Sequence, residues 1–297
     1  KQFAVKVMLP ALSSDQEFVN RFKIEAVAAS RIGHPNIVDI SDFGKTGDGR
    51  FFFVMEFLDG MTLSSLVHRQ GQQSPGRSVA LTLQVARALS AAHELHIVHR
   101  DLKPDNVMVL QRPGNPDLVK VLDFGVARVQ VDNESIGQTA AGIVVGTPQY
   151  MSPEQAKGEP LDHRSDLYSL AVCLYELLTG ERLFVAAGLT TSAEEIYSQP
   201  IELPSRKVAG LPPELDKVML KALALDPNGR YQSAGEVARH LTAVAQYQYE
   251  AQSLGEQLPE VGPGREELVH DRRIVRIRRW RHPRGHALHQ LQGASPW

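Results

Sequence analysis

His99-Arg100-Asp101-Leu102-Lys103-Pro104-Asp105-Asn106, followed at 123–125 by Asp-Phe-Gly, is the stretch on which the reading of this sequence turns. Moving a phosphoryl group asks little covalent chemistry of a protein. It asks for a carboxylate to orient a hydroxyl, cations against phosphates, and oxygen ligands for a divalent ion. Asp101 can accept a hydroxyl proton, and Lys103, two residues on, can reach a group in transfer. Asn106 offers a neutral oxygen ligand to Mg²⁺ and Asp123 a charged one. Taken singly, each has a plainer reading. Asp and Asn in Pro-Asp-Asn are common turn formers, and a strand lysine such as Lys6 is usually a solvated edge charge. Order and spacing together favour the chemical reading.

Outward from that stretch, the chain divides into two characters. Residues 3–9 read as a strand. Ser14 and Glu17 form a capping box for a helix with Phe18, Phe22, Val27 and Ile32 on or near one face, ended by Gly33. IVDISDFG and RFFFVMEF then read as strands joined by the turn TGDG. From Met61 the pattern becomes mainly helical: a long amphipathic run over 78–97, a hairpin around RPGNPD, and SDLYSLAVCLYELLTG, apolar on nearly all sides and so placed inside a lobe. Residues 126–148 read as a long loop. Further helices are expected at 213–225 and 233–247, the latter opened by Ser233 and Glu236. The expected organisation is α+β: 1–58 a β-rich lobe, 59–247 a helical lobe, and 248–297 an irregular basic tail.

Composition narrows the class. With 42% hydrophobic and 22% charged residues, the chain can bury a sizeable core. A formal net charge of −2 argues against a whole-chain nucleic-acid or membrane-surface binder. Charge is uneven, however: residues 265–297 hold eight Arg against three acids, while the rest carries 24 basic and 31 acidic side chains. That tail interleaves Arg with Ile and Trp, a pattern that binds nucleic acid or anionic lipid but more often is a solvated appendage. The single cysteine, Cys173, lies in an apolar run and reads as a core thiol in a chain of the reducing cytoplasm. No apolar run reaches membrane-spanning length, although anchoring of a longer parent stays open. His93, His96 and His99 recur every third position, which does not place all three on one helix face as a metal site needs.

HRDLKPDN, DFG, GTPQYMSPE and the strand FAVK resemble, in order and separation, the eukaryotic-like serine/threonine protein kinase family, in the style of its bacterial members. The resemblance covers about residues 1–247 and implies the two-lobed kinase fold, ATP and Mg²⁺ as ligands, and protein Ser/Thr hydroxyls as acceptors. It makes Asp101 the catalytic base, Lys103 and Asn106 its loop companions, and Asp123 the main Mg²⁺ ligand. Lys6 resembles the strand lysine of the α- and β-phosphates, and Glu25 its ion-pair partner on the first helix. Ala4 and Met108 resemble the residues above and below adenine, Glu56 and Leu58 those presenting backbone to its edge, and Met55 the gatekeeper. Thr139, then Ser135, are the implied autophosphorylation sites, in reach of a second copy and read by Arg100. Thr147 supports substrate docking. Glu154 pairs with Arg230, and Asp166 holds the backbone around His99 and Arg100.

The family's glycine-rich loop is missing, since Lys1 already lies in the strand that follows it. The expectation is a fragment with about three strands in its small sheet, an exposed edge, and weak activity of its own. Two other readings compete. A scaffold without transfer usually lacks one of the residues represented here by Lys6, Asp101 and Asp123. A basic-tail adaptor would show steep salt dependence that vanishes on deleting 265–297.

Overall fold

In a computed structural model, described over residues 2–8, 16–112, 114–124, 148–184 and 196–256, the chain forms a small β-rich lobe and a larger, mainly helical lobe, as the sequence leads one to expect. By contact density it falls into two units, Lys1–Ser253 and Leu254–Trp297. Of the expected tail, residues 248–256 are helical and 257–297 lie outside the described residues, as do the autophosphorylation candidates Ser135 and Thr139, with Thr147, in the first unit.

The small lobe is built on β1 (Phe3–Val7), α1 (Gln16–Ile32), β2 (Ile40–Lys45) and β3 (Phe51–Glu56). Its antiparallel sheet has the order β1-β3-β2, so β1 is an edge, with Phe3 and Val5 exposed. Val19, Phe22 and Ala26 of α1 pack with Met8 on Phe53 of the central strand. The expected helix face is corrected here: Phe18 and Val27 are exposed, because the stripe at 19, 22, 26 and 29 faces inward. Ser14 of the expected capping box is outside the described residues, as are the side chains of Glu17 and Glu25.

After α1 the chain docks on the large lobe. Asn36 donates from Nδ2 to Val119 O at 2.9 Å and to Gln84 Oε1 at 3.0 Å. Val121 N donates to Asn36 O and Val38 N to Val121 O, closing a parallel bridge between Ile37 and Val121. The end of α1 is thereby tied to the strand that runs into Asp123.

The large lobe opens with β4 (Gly60–Thr62), α2 (Leu63–Gln70) and α3 (Pro75–Glu94), then β5 (Val107–Arg112) and β6 (Asn115–Val121). β4, β5 and β6 form an antiparallel sheet in that order. Gly60 permits it, because a Cβ there would meet Val109 O at 2.3 Å. α3 starts three residues before the amphipathic run at 78, at a Ser74 cap with proline in the first position, and ends at Glu94. Its other end closes by Ile97 N donating to Ala92 O at 3.0 Å and His96 N to His93 O at 2.9 Å, with His96 in the left-handed region at φ 59. Glycine usually takes that position. His96→Gly is therefore expected to stabilise the fold by roughly 0.5–1 kcal/mol; an unchanged or lower denaturation midpoint would contradict the strain.

α4 (Pro153–Lys157), α5 (Arg164–Thr179), α6 (Pro204–Lys207), α7 (Pro213–Ala222) and α8 (Ala234–Glu256) complete the lobe. Every residue of α5 from Ser165 to Thr179 is buried, as its all-round apolar character predicts, and Gly180 ends it at φ 73. Cys173 is a buried free thiol whose pKa is pushed well up by burial, which makes it inert. At α8, Glu236 N donates to Ser233 Oγ at 3.1 Å, but the Glu236 carboxylate takes Gln232 N at 2.9 Å rather than the Ser233 amide. The helix continues to Glu256, past residue 247 where its periodicity fades. Among the described residues no helix is long and apolar enough to cross a membrane.

Candidate active site

Two tight turns face each other between the lobes. One follows α3 and carries His99 to Asn106; the other follows β6 and carries Asp123 and Phe124. Both contain a non-glycine residue at positive φ, Arg100 at 64° and Asp123 at 45°. Such conformations cost of order 1–3 kcal/mol and persist only where surrounding contacts impose them. Those contacts are present. Asp166, at the start of α5 and 1% exposed, accepts His99 N and Arg100 N at 2.8 Å each. Gln155 Nε2 donates to Arg100 O at 2.6 Å. His99 Nε2 donates to Leu122 O at 2.9 Å, Leu122 N donates to Asn106 O at 2.8 Å, and the His99 and Phe124 rings lie 4.8 Å apart. Each turn thus holds the other.

Within this frame Lys103 Nζ lies 2.8 Å from Asp101 Oδ2, and Asn106 Nδ2 donates to Asp101 O at 2.8 Å and to Oδ2 at 3.2 Å. From the small lobe, Lys6 Nζ on β1 reaches Asp123 Oδ1 at 2.8 Å. A residue of the first strand and one 117 positions later are therefore paired across the cleft. Ala4 lies opposite Met55 in the β1-β3 register, and Met108 opposite Lys120 in β5-β6, one on each lobe. Leu58 lies in the connection between the lobes, half-buried. Glu25 sits in the middle of α1, with its side chain outside the described ones.

Sequence reading gave Glu56 only a backbone role. Its side chain closes a clamp behind the connection: Oε1 accepts Asp39 N at 3.0 Å and faces Lys120 Nζ at 2.5 Å. Lys120, buried in β6 three residues before Asp123, also donates to Ile37 O at 3.0 Å. No local pattern marks this pair, because its partners are 64 residues apart and each looks like an ordinary strand-end charge. Lys120→Met leaves the Glu56 carboxylate largely buried without its cation. A loss of about 1–3 kcal/mol is expected, much of it recovered by adding Glu56→Gln. A urea midpoint unmoved by the single change would show that the clamp contributes nothing.

Away from the cleft, Glu154 of α4 and Arg230 form a two-pronged pair, 2.7 Å at each contact, and Ser165 Oγ donates to Glu154 at 2.6 Å. Burial raises the Glu154 pKa, but the Arg230 and Ser165 bonds outweigh it and hold the carboxyl below its ordinary value. Tyr150 donates to Glu176 at 2.6 Å, and burial lifts the Glu176 pKa against that bond. Among the described residues no group of three or more His, Cys, Asp and Glu side chains is arranged to hold a metal ion.

A strand lysine thus meets a carboxylate from the second turn, beside a paired Asp and Lys in the first. The sequence pattern described as "Protein kinase domain" matches residues 1–242, and the chain belongs to that family. Serine/threonine-protein kinase pkn3 of Myxococcus xanthus is 43% identical over 248 residues, 82% of this chain and 45% of that protein. PknB of Mycolicibacterium smegmatis is 43% identical over 249 residues, 82% and 39% of the two lengths. The chain thus spans less than half of these relatives. The crystal structure of the Mycobacterium tuberculosis PknI kinase domain superposes with a TM-score of 0.62 at 28% identity, covering 82% of this chain and 84% of that one.

Proposed function

We propose that this chain transfers the γ-phosphoryl group of ATP to Ser and Thr hydroxyls of proteins. The observation that carries the reading is the pairing of Lys6 with Asp123 at 2.8 Å, beside an Asp101 carboxylate held by Lys103 and Asn106. Asp101 orients the acceptor hydroxyl and takes its proton as the oxygen attacks. Lys103, already against that carboxylate, faces the charge that develops on the transferring group. Lys6 steadies the α- and β-phosphates, with Glu25 as its helix partner. Ala4, Met108 and the backbone of Glu56 and Leu58 receive adenine, with Met55 behind them.

The oxygen donors fit Mg²⁺. Asn106 spends its NH₂ group on Asp101 and keeps its amide oxygen as a ligand, while Asp123 adds a carboxylate. One carboxylate and one amide are a typical protein share when phosphates complete the shell. Mg²⁺ bound there would neutralise charge on the phosphates.

Regulation by phosphate on Thr139 or Ser135, placed by a second copy and paired with Arg100, fits the same site. Action in the cytoplasm, where ATP is available, also fits. The basic tail gives no independent support for nucleic acid or anionic membrane as a partner. The test is incubation of the complete protein with Mg²⁺ and γ-labelled ATP, followed by analysis of the labelled residues. Label on Ser and Thr is expected. Silence despite measurable Mg²⁺-ATP binding would favour a scaffold that binds nucleotide without transfer.

A further inference from the structure

Three successive carbonyls in front of α4 are each held by a side-chain hydroxyl. Tyr150 O accepts Ser169 Oγ of α5 at 2.8 Å. Met151 O and Ser152 O lie 2.8 and 3.2 Å from the hydroxyl of Tyr197, which donates between them. Tyr197 belongs to residues 196–199, ahead of α6, where no local pattern in the sequence marks it. Its ring is fixed edge-on by Phe184 and Tyr168, with centroids 5.9 and 6.3 Å away. Burial pushes its pKa well up, so the hydroxyl keeps its proton and remains a donor. We propose that Tyr197 is a positioning residue for the protein acceptor: its hydroxyl sets the course of residues 150–152, along which an acceptor segment lies as its Ser or Thr reaches Asp101.

In-line transfer puts the attacking and leaving oxygens on opposite sides of the phosphorus. Lys6 and Asp123 take the nucleotide side, so the acceptor comes to Asp101 from the other. Two contacts place residues 150–152 beside that approach. Gln155, whose side chain accepts Ser152 N at 3.0 Å, donates to the carbonyl of Arg100, next to Asp101. Glu176, which accepts the Tyr150 hydroxyl, feels the charge of Asp105 in the catalytic turn. α5 pins Tyr150 through Ser169 and Glu176; Tyr197 pins the two residues that follow. Ser152 O also accepts Ala156 N at 3.1 Å as α4 begins, so loss of the hydroxyl falls mainly on Met151. Met151 is 6% exposed, and water is a poor substitute for the missing donor. The peptide plane between Met151 and Ser152 is then less constrained, and the surface that meets the acceptor shifts. Lys6, Asp123 and the adenine-facing residues lie outside this set of contacts, so nucleotide binding is spared.

This inference rests on the kinase reading, and the test separates the two. Tyr197→Phe keeps the ring and its packing and removes only the donor. In the complete protein, with a degenerate peptide mixture centred on Ser and Thr as acceptor, it is expected to raise acceptor KM about threefold to tenfold. Both kcat and KM for ATP should stay within about twofold, as should ATP hydrolysis measured without acceptor. Phe184→Leu loosens packing on the same ring but leaves the hydroxyl. It should lower the denaturation midpoint and leave acceptor KM near the parent. Amide hydrogen exchange at Ser152, read without any turnover, should quicken in Tyr197→Phe and not in Phe184→Leu. An equal rise in acceptor KM in Phe184→Leu would assign the effect to packing and overturn the role of the hydroxyl. A Tyr197→Phe protein that matches the parent in acceptor KM and exchange would overturn it too, while leaving a working kinase. So would a defect in KM for ATP or in acceptor-free hydrolysis, which would place the change at the nucleotide. A parent protein that transfers no phosphate would sink the kinase reading, with exchange at Ser152 still reporting on the Tyr197 hydrogen bond.

Discussion

Asp101→Asn is expected to lower kcat by about 10²–10⁴-fold while leaving KM for ATP within about threefold. The substitution preserves shape, so the turn stays folded. Lys103 Nζ and Asn106 Nδ2, now 2.8 and 3.2 Å from Oδ2, retain or regain an amide oxygen as acceptor. What disappears is the negative charge and the ability to take a proton from the acceptor hydroxyl. Nothing holding nucleotide changes, because the Lys6–Asp123 pair and the connection between the lobes lie elsewhere. Loss in kcat rather than KM is the signature of a group that acts on the reacting atoms. The measurement is steady-state phosphate transfer across a range of ATP concentrations, with nucleotide binding followed separately. A variant that keeps kcat within about fivefold of the parent would remove Asp101 from the chemistry. One that loses ATP binding instead would recast it as a structural anchor.

The convergence of these side chains was legible in sequence because most of them lie close together along the chain. Asp101, Lys103 and Asn106 fall within six positions of each other, and the turn holding them needs a fixed set of residue types. α5 was legible for a different reason: a helix with no polar face has only the core to occupy. Legibility fails where placement depends on distant partners. Glu56 and Lys120 meet only because the α1–β2 connection is pinned to β6 by Asn36, and no short-range pattern announces that docking. The inward stripe of α1 was misread by one position, since Phe18 and Val27 are large and apolar yet face outward. Burial there follows where the sheet lies, and size alone does not reveal it. His93 looked like part of a three-histidine repeat, whereas its ring is placed by the Asp166 carboxylate, 73 residues later.

Arg230→Met is expected to destabilise the fold at neutral pH by about 3–5 kcal/mol, the range for removing one partner of a buried ion pair. Arg230 is among the largest fully buried side chains, and its guanidinium meets both Glu154 oxygens at 2.7 Å. It also donates to the carbonyls of Ala224 and Leu225 at 2.7 and 3.0 Å, and lies 5.0 Å over the Tyr168 ring. Methionine fills much of the volume but leaves a carboxylate 5% exposed with Ser165 as its main remaining donor. The pH dependence follows from the sign of the Glu154 shift. Burial opposes ionisation, the Arg230 and Ser165 bonds prevail, and the folded pKa lies below the unfolded one. The pair therefore contributes its full stability above the ordinary carboxylate range and loses it as pH falls through the folded value. In the variant the burial effect stands without the cation, so the folded pKa rises instead. Its folded state then takes up a proton readily, and the deficit against the parent shrinks on acidification. Guanidinium unfolding at pH 7 and near pH 5 measures both numbers. Adding Glu154→Gln to Arg230→Met should cost less than the sum of the two single changes, because the second removes the orphaned charge left by the first. A deficit independent of pH, with strictly additive single changes, would mean that Arg230 acts through packing and its carbonyl contacts, with the carboxylate a bystander.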